Sequence, residues 1–446
     1  MAKDMTTGSP ARQIILFSIP LLIGNLFQQF YNMADAFIVG RTLGSDALAA
    51  VGCTSGLNFM ILGIATGATA GMAIATAQHF GAQDEEAVKR SFAVSIMISL
   101  ILTVILTLFG LIGTRWMLTL LRTPAEIYEG AYRYFIVIMG GTISCMVFNL
   151  TSNVLRAVGD SLIPLLFLVI ACVLNIILDY TFILGLGMGT EGAGLATILA
   201  QFLSGFFCII YIRKKVPVLR ISRHHFKCTA ADWRRHLQLG LPMGFQSSII
   251  AIGMVVVQFA LNSLGTTEIA AYTAAMKLDN LGILPLMSFG IAMATYVGQN
   301  YGANRMHRIR QGIFQCCIIS IIFSVFIGII DILFGDTLSA LFLAGDNKAI
   351  ALSHEYLIIN GICYPILGLL FVFRYSLQGL GYSFVPTVAG IAELVMRSLA
   401  AIILTSYVGY TGTCIANPLA WIGSLTPLTL AIIPILKKIP KTESQT

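Results

Sequence analysis

Four oxygen-bearing side chains in the first half of the chain stand within long apolar segments. Asn175 and Asp179 are spaced i, i+4, so they share one face of a helix. Asp35 and Thr197 lie in two further segments, at a similar depth when each segment is read as a membrane-spanning helix. Two carboxylates, an amide and a hydroxyl suit a small cation such as Na⁺, and adjacent carboxylates can instead share a proton near neutral pH. The pattern predicts a site for a coupling ion, H⁺ or Na⁺; the alternative is that Asp35 and Asp179 only approach lipid headgroups or bond to backbone.

Charged residues also interrupt the apolar segments of the second half. Lys277 and Asp279 point to different sides of one helix and cannot pair with each other, so either can line a cavity. Glu393 and Arg397 are spaced i, i+4, which predicts an ion pair that neutralises both. Because a charge at the bilayer centre costs at least ~2.5 to 3.5 kcal/mol on insertion scales, each of these residues needs a partner or a task.

Two more charged residues, Arg374 and Asp331, lie near the ends of predicted membrane spans. Side chains in such positions can extend toward the headgroups while their stems stay in apolar surroundings. We therefore expect both to extend to the membrane interface.

The composition places these residues in a lipid environment. Of 446 residues, 57% are hydrophobic and 11% are charged, and the mean hydropathy is +0.86. An ordinary soluble domain is about 25% charged, so this chain would oversupply a soluble core and leave too little polar surface to cover it. An average soluble enzyme is therefore excluded.

Charge-free segments long enough to cross the bilayer recur along the chain. A spanning helix needs about 20 predominantly apolar residues. The segments do not alternate in polarity, as the strands of a membrane barrel would. The fold class expected is an all-α polytopic membrane protein with twelve spans: 13 to 39, 48 to 78, 91 to 113, 132 to 156, 162 to 184, 190 to 213, 237 to 263, 268 to 299, 311 to 334, 352 to 378, 385 to 408 and 411 to 436.

The distribution of basic residues predicts the orientation. Lys and Arg accumulate in cytoplasmic loops, and here they concentrate in the segment 214–236 and beside the chain ends. Both termini are therefore expected to be cytoplasmic, in a multi-pass protein of the bacterial inner membrane. We find no convincing signal-peptide cleavage site, so the first span is expected to remain.

The net charge of +7 does not indicate nucleic-acid binding, because the basic residues flank membrane spans without a recognisable nucleic-acid module. Anionic lipid headgroups are their expected partners. The nine cysteines lie mostly inside spans without repeated metal-ligand spacing, so neither a disulfide framework nor a resident metal or cofactor is expected.

The chain contains an internal repeat. Residues 43–50 parallel 264–271, and residues 78–82 parallel 299–303, at an offset of 221; Pro20 parallels Pro242 at an offset of 222. The offset spans six helices, an even number, so the halves enter the membrane in the same orientation, as a parallel repeat. The predicted organisation is an N-terminal six-helix lobe (1–213), a basic cytoplasmic linker (214–236) and a C-terminal six-helix lobe (237–446).

Taken together, these motifs resemble the prokaryotic branch of the multidrug and toxic compound extrusion (MATE) family, over nearly the whole chain. The resemblance rests on Ile19-Pro20 with Asp35, Val39-Gly40-Arg41 with Leu43-Gly44, Gly81-Ala82, Gly302-Ala303, the run from Leu174 to Asp179, Gly192-Ala193 and Ala196-Thr197.

The resemblance implies two lobes around a central cleft and cation-coupled export by alternating access. It implies that Asp35, Asn175, Asp179 and Thr197 bind Na⁺ or H⁺, and that Pro20 permits a bend coupled to that site. Some relatives place an acidic residue in the seventh helix, whereas span seven here has polar residues but no acid: Gln246, Gln258 and Asn262.

The function expected is secondary active antiport that exports amphipathic or cationic small molecules in exchange for H⁺ or Na⁺, by a protein expected to be monomeric. The candidate substrate cavity comprises Gln28, Tyr31, Gln246, Lys277 and Asp279. Stacking, cation–π contacts and adaptable thioether packing would suit flat apolar cations there.

The alternative function is a flippase for a lipid-linked precursor of the same superfamily. Lys277, Arg374 and Arg397 keep it open, because a pyrophosphate needs cationic side chains. An intramembrane enzyme is not expected, since all six histidines fall in loops or at span edges and no catalytic arrangement is apparent.

Overall fold

The computed structural model describes residues 4–343 and 345–438, and every regular element within these residues is helical. The outermost ends of the two predicted lobes, 1–3 and 439–446, lie outside the described residues, as does Lys441 of the predicted cytoplasmic tail.

The helices follow one another with short connections. A π-helical turn, Tyr180–Gly185, extends α6, and two 3₁₀ turns, Pro217–Leu219 and Arg223–Phe226, precede α8. The α-helices are α1 Pro10–Leu43, α2 Ser45–Gly81, α3 Glu85–Leu120, α4 Ala125–Gly140, α5 Thr142–Ala157, α6 Leu162–Asp179, α7 Thr190–Lys215, α8 Ala230–Asn262, α9 Thr266–Gly302, α10 Met306–Ala340, α11 Asn347–Gly379, α12 Phe384–Val408 and α13 Tyr410–Lys438.

Eleven of the helical segments in the described residues are individually long and apolar enough to cross a membrane. The remaining predicted span, 132 to 156, corresponds to the pair α4 and α5, which are bent by 48° at Gly141. A Cβ on Gly141 would lie 2.2 Å from the Ile198 side chain on α7, so only glycine permits this close approach at the bend. All twelve predicted spans are confirmed as helical, and most helices extend beyond them.

The backbone repeats at equivalent positions of the two halves. Gln83 and Asn304, at an offset of 221, both adopt positive φ, of 58° and 56°. Gly159 and Gly381, at an offset of 222, adopt φ of 85° and 95°. Because non-glycine residues rarely occupy this region, a shared left-handed turn at matching positions supports the internal repeat read from the sequence.

The helices form two compact units. Unit 1 comprises Asp4 with residues 23–248, and its core is formed by apolar side chains such as Phe135 and Met139. Unit 2 comprises residues 5–22 with the described residues from 249 onward, and its core includes Tyr296. Each unit therefore buries its own apolar interior.

The basic segment between α7 and α8 packs within unit 1. Val216 and Leu219 are buried against Val88 and Phe92 of α3. The buried His225 contacts Glu86 through its Nε2 at 3.1 Å. The segment is thus an ordered connection with its own buried contacts.

Candidate cation site

The final turns of α6 supply the first two side chains of the predicted site. Asn175 and Asp179 are both fully buried and lie one turn apart. Asp179 is the last residue of α6 before the π-helical turn Tyr180–Gly185. Such π turns interrupt the regular backbone bonding and are frequent at functional sites.

Asn175 connects α6 to α7. In the amide orientation that gives both of its polar atoms complementary partners, its Nδ2 donates to Asp179 Oδ2 at 3.0 Å. Its oxygen then accepts from the Thr197 backbone N–H at 3.3 Å. The amide therefore fixes Asp179 against α7.

The second half of α1 supplies two further side chains, one turn apart. Tyr31 donates its hydroxyl to Thr197 Oγ1 at 3.2 Å. The carboxyl of Asp35 lies beside the carboxyl of Asp179, so that the two groups interact directly. All four predicted site residues thus come together in unit 1, with Tyr31 beside them.

A hydrogen bond between the two carboxyl groups would require a proton. Carboxylates only accept hydrogen bonds, so one of the pair must be protonated when Asp35 and Asp179 bond to each other. Within the described residues, the Oδ1 atoms of both groups are buried and have no hydrogen-bond partner. A buried acceptor without a donor is costly, and a bound cation would satisfy it. The donor set therefore fits either a shared proton or Na⁺.

Tyr134 of α4 is a neighbour that the sequence did not reveal. It is buried and lies close to both Asp35 and Asp179. No spacing in the sequence links it to them, because its place depends on how α4 packs in unit 1.

Pro20, the predicted hinge, lies inside α1, which is helical from Pro10 to Leu43. Proline lacks the N–H of the regular helical bond. Pro20 belongs to the part of α1 in unit 2, and Asp35 to the part in unit 1. Bending at Pro20 stays a prediction.

The five candidate substrate residues have different surroundings. Gln28 and Tyr31 are half-buried and Gln246 is buried, all in unit 1. In unit 2, Lys277 is exposed, with its Nζ 5.5 Å from the centre of the Phe342 ring. Asp279 is buried in unit 2, where it accepts hydrogen bonds from tyrosines. A role in substrate binding stays a prediction for all five.

The predicted pair of Glu393 and Arg397 is present, with Arg397 Nη2 donating to Glu393 Oε1 at 2.8 Å. Arg374 joins it, since its Nη2 donates to Glu393 Oε2 at 2.5 Å. The expectation that Arg374 and Asp331 extend to the interface is therefore wrong. Arg374 is buried in this cluster, and Asp331 is buried beside Tyr364, because each has a polar partner within unit 2.

Comparisons with known proteins agree with this architecture. The chain is 28% identical over 384 residues to the probable multidrug resistance protein YpnP of Bacillus subtilis, covering 85% of each chain. It is 24% identical over 424 residues to the probable multidrug resistance protein NorM of Thermotoga maritima, covering 94% of this chain and 89% of the relative.

A solved structure described as the outward-facing conformation of a multidrug resistance MATE family transporter of the MOP superfamily has a TM-score of 0.90. It is 25% identical, and the match covers 98% of this chain and 99% of that one. With the apolar helices, these relatives make the chain a multi-pass membrane protein of the bacterial inner membrane.

The family model described as MatE matches the chain twice, over residues 20–181 and again over 242–403. The two matches begin at Pro20 and Pro242, so they are separated by the same offset as the internal repeat at these prolines. The chain belongs to the MatE family, the MATE membrane transporters.

Proposed function

We propose that the protein is a secondary active antiporter that exports amphipathic or cationic small molecules in exchange for H⁺ or Na⁺ by alternating access. The observation that carries this proposal is that the half-buried Asp35 and the buried Asp179 lie side by side, with Asn175 and Thr197 around them. The names of the relatives, multidrug resistance proteins, support the substrate class.

The carboxyl pair provides the coupling in this proposal. With one proton or one Na⁺ bound, the charge of the pair is reduced and the groups attract each other. Without it, two buried carboxylates face each other and repel. Loading and release of the ion therefore change the preferred position of Asp35 relative to Asp179.

The change at Asp35 passes to the substrate side through α1. Tyr31 lies one turn from Asp35 on the same face and donates to Thr197, so movement of this helix strains or releases that bond. Pro20 removes one backbone hydrogen bond from the same helix, α1, so a bend costs least there. Loading or release of the ion would then shift Tyr31 and Gln28, which are candidate substrate contacts, and so change how the substrate is bound.

In this proposal the moving parts are the lobes 1–213 and 237–446. A cytoplasmic linker at 214–236 joins them, and both termini are cytoplasmic. The protein works as a monomer. It needs no cofactor beyond the coupling ion, because the acids themselves bind that ion.

The flippase alternative receives less support from unit 2. Of its three candidate cations, Arg374 and Arg397 both bind the single carboxylate of Glu393. A pyrophosphate would have to compete with that carboxylate for two buried arginines. The exposed Lys277 alone would give weak recognition.

Dye uptake into energised inverted vesicles, which corresponds to export from the cell, tests the proposal, with the pH and Na⁺ gradients collapsed separately. We expect one collapse, and not the other, to stop transport by the native protein. Asp35→Asn should transport no dye under either gradient at native membrane expression. Asp46→Asn, a change of the same kind at an exposed acid in the first turn of α2, should transport normally. Full gradient-driven efflux by Asp35→Asn would refute the proposed site.

A further inference from the structure

A second pair of acids lies deep in unit 2, joined by one phenol. Tyr364 of α11 places its hydroxyl oxygen 2.6 Å from Asp279 Oδ1 on α9 and 3.0 Å from Asp331 Oδ2 on α10. All three side chains are buried. One hydroxyl thus bridges two carboxyl groups from two different helices.

Counting protons shows that this bridge cannot form between two carboxylates. A tyrosine has one O–H, so it can donate to only one of the two acids. The other contact is a hydrogen bond only if that acid carries its own proton and donates to the phenol oxygen. Both contacts are full hydrogen bonds only when one of Asp279 and Asp331 is protonated.

The remaining contacts identify which one. Asp279 also accepts, at its Oδ2, from the hydroxyl of Tyr356 at 3.0 Å. Asn417 Nδ2 donates to Tyr356 at 2.9 Å, so the Tyr356 proton is directed to Asp279 or to the weaker acceptor Met276 Sδ, which is 3.2 Å away. Asp279 has two hydroxyl donors and the shorter contact to Tyr364, as expected for an ionised acceptor. These contacts favour Asp331 as the acid that carries the proton.

The charge balance of unit 2 leads to the same assignment. Apart from Arg308 in the first turn of α10, the buried charged residues described in unit 2 are Arg374, Arg397, Glu393 and the two aspartates. Two arginines offset Glu393 and one further carboxylate. With Asp331 protonated the sum is zero, and with Asp331 ionised a net negative charge would be buried at considerable cost.

We propose that Asp331 is a second proton-binding site, protonated at neutral pH, and that Tyr364 links its proton state to the ionised Asp279. When Asp331 releases its proton, the single hydroxyl of Tyr364 cannot serve both carboxylates. One contact then breaks, so proton release would loosen either α10 or α9 from α11. The ligand of the site is H⁺.

The groups around the triad come from each helix packed against it. Tyr272 of α9 stands edge-on to Tyr356, with ring centres 5.2 Å apart. Arg397 of α12 is the cation that interacts with Asp279, and Cys414 of α13 lies near Tyr356. Phenols and thiols lose their protons at a much higher pH than carboxyl groups do. Of the two carboxyl groups, Asp279 is held in its ionised form by two hydroxyl donors and Arg397. Asp331 is therefore the group of this cluster expected to titrate.

Infrared spectroscopy tests the assignment, because a protonated carboxyl has its own C=O stretch. The protein would carry Asp35→Asn and Asp179→Asn, which remove the acids of unit 1, with ¹³C-labelled aspartate to identify the band. We expect one protonated aspartate band at neutral pH that disappears in Asp331→Asn. Asp336→Asn, on the same helix at an exposed acid paired with His354, should leave the band unchanged.

Two further variants test the linkage. In Asp279→Asn the charge balance favours an ionised Asp331, so the band should again disappear although Asp331 is present. In Tyr364→Phe the ring is kept and the hydroxyl lost, so the band should shift to higher frequency as its hydrogen bond is removed. Size-exclusion profiles would verify that each variant is folded. Absence of the band in the starting protein, or its persistence in Asp331→Asn or Asp279→Asn, would overturn the proposal.

Discussion

Glu393 holds two buried arginines, and its neutralisation should destabilise unit 2 substantially. The contacts to Arg374 and Arg397 are 2.5 and 2.8 Å, and all three side chains are less than one-tenth exposed. Glu393→Gln keeps the size of the side chain but leaves two buried cations without their shared anion. Removing one partner of a buried ion pair typically costs ~3 to 5 kcal/mol.

The loss is measurable as thermal stability in detergent. For a unit of this size each kcal/mol shifts the melting temperature by about 2 to 4 °C, so we expect Glu393→Gln to melt about 6 to 20 °C below the native protein. The assay is the fraction of monodisperse protein that survives heating, followed by size-exclusion chromatography. Glu268→Gln, which loses a surface pair with Lys348, should melt close to the native protein.

A compensating variant separates charge from packing. If an unpaired cation causes the loss, Arg374→Met added to Glu393→Gln should recover most of it, because an apolar side chain of similar volume then replaces the buried pair while Arg397 still offsets Asp279. A native melting temperature for Glu393→Gln alone would refute the reasoning. So would a double variant, Arg374→Met with Glu393→Gln, that is less stable than Glu393→Gln alone.

Three further predictions concern transport and topology. Asp35→Asn and Asp179→Asn should each abolish coupled efflux, and the double variant should be no worse than either single one, because a shared ion couples the two acids; additive losses in dye efflux would contradict this. Pro20→Ala restores the missing N–H of α1 and should slow transport, and a native efflux rate would show that bending there is not required. Cys228, kept as the sole cysteine, should react with an impermeant thiol reagent only from the cytoplasmic side. Burial raises the pKa of its thiol, so labelling should accelerate as the pH rises. Labelling in intact cells would contradict the predicted topology.

The spans could be predicted from sequence because lipid thickness imposes a minimum apolar length on every crossing. The helix ends could not, because hydropathy detects only the part of a helix in lipid. Helix α3 was predicted as 91 to 113 but begins at Glu85, where Asp84 accepts a hydrogen bond from the Ala87 N–H at 2.9 Å. That capping signal is polar and lies outside the apolar segment.

The site residues divide along a similar line. Asn175 and Asp179 were predicted to share a face because that relation is local to one helix, as is the relation of Tyr31 to Asp35. Tyr134 was missed because only the packing of α4 brings it to the carboxyl pair. Asp331 was misplaced for the same reason, since its partner Tyr364 is on another helix and nothing in the spacing joins them.

The two units bury acids at positions that the internal repeat does not relate. At the offset of 222, Asp35 corresponds to Val257 and Asp179 to Ala401, while Asp279 corresponds to Leu57. The duplication therefore preserved the helices and their turns, but the acids were placed separately in each half. In our proposals, the carboxyl pair of unit 1 shares a proton or Na⁺ directly and the pair of unit 2 shares a proton through a phenol, and both arrangements meet the same physical requirement. Each half has to keep ionisable oxygen in an apolar interior without burying two negative charges side by side.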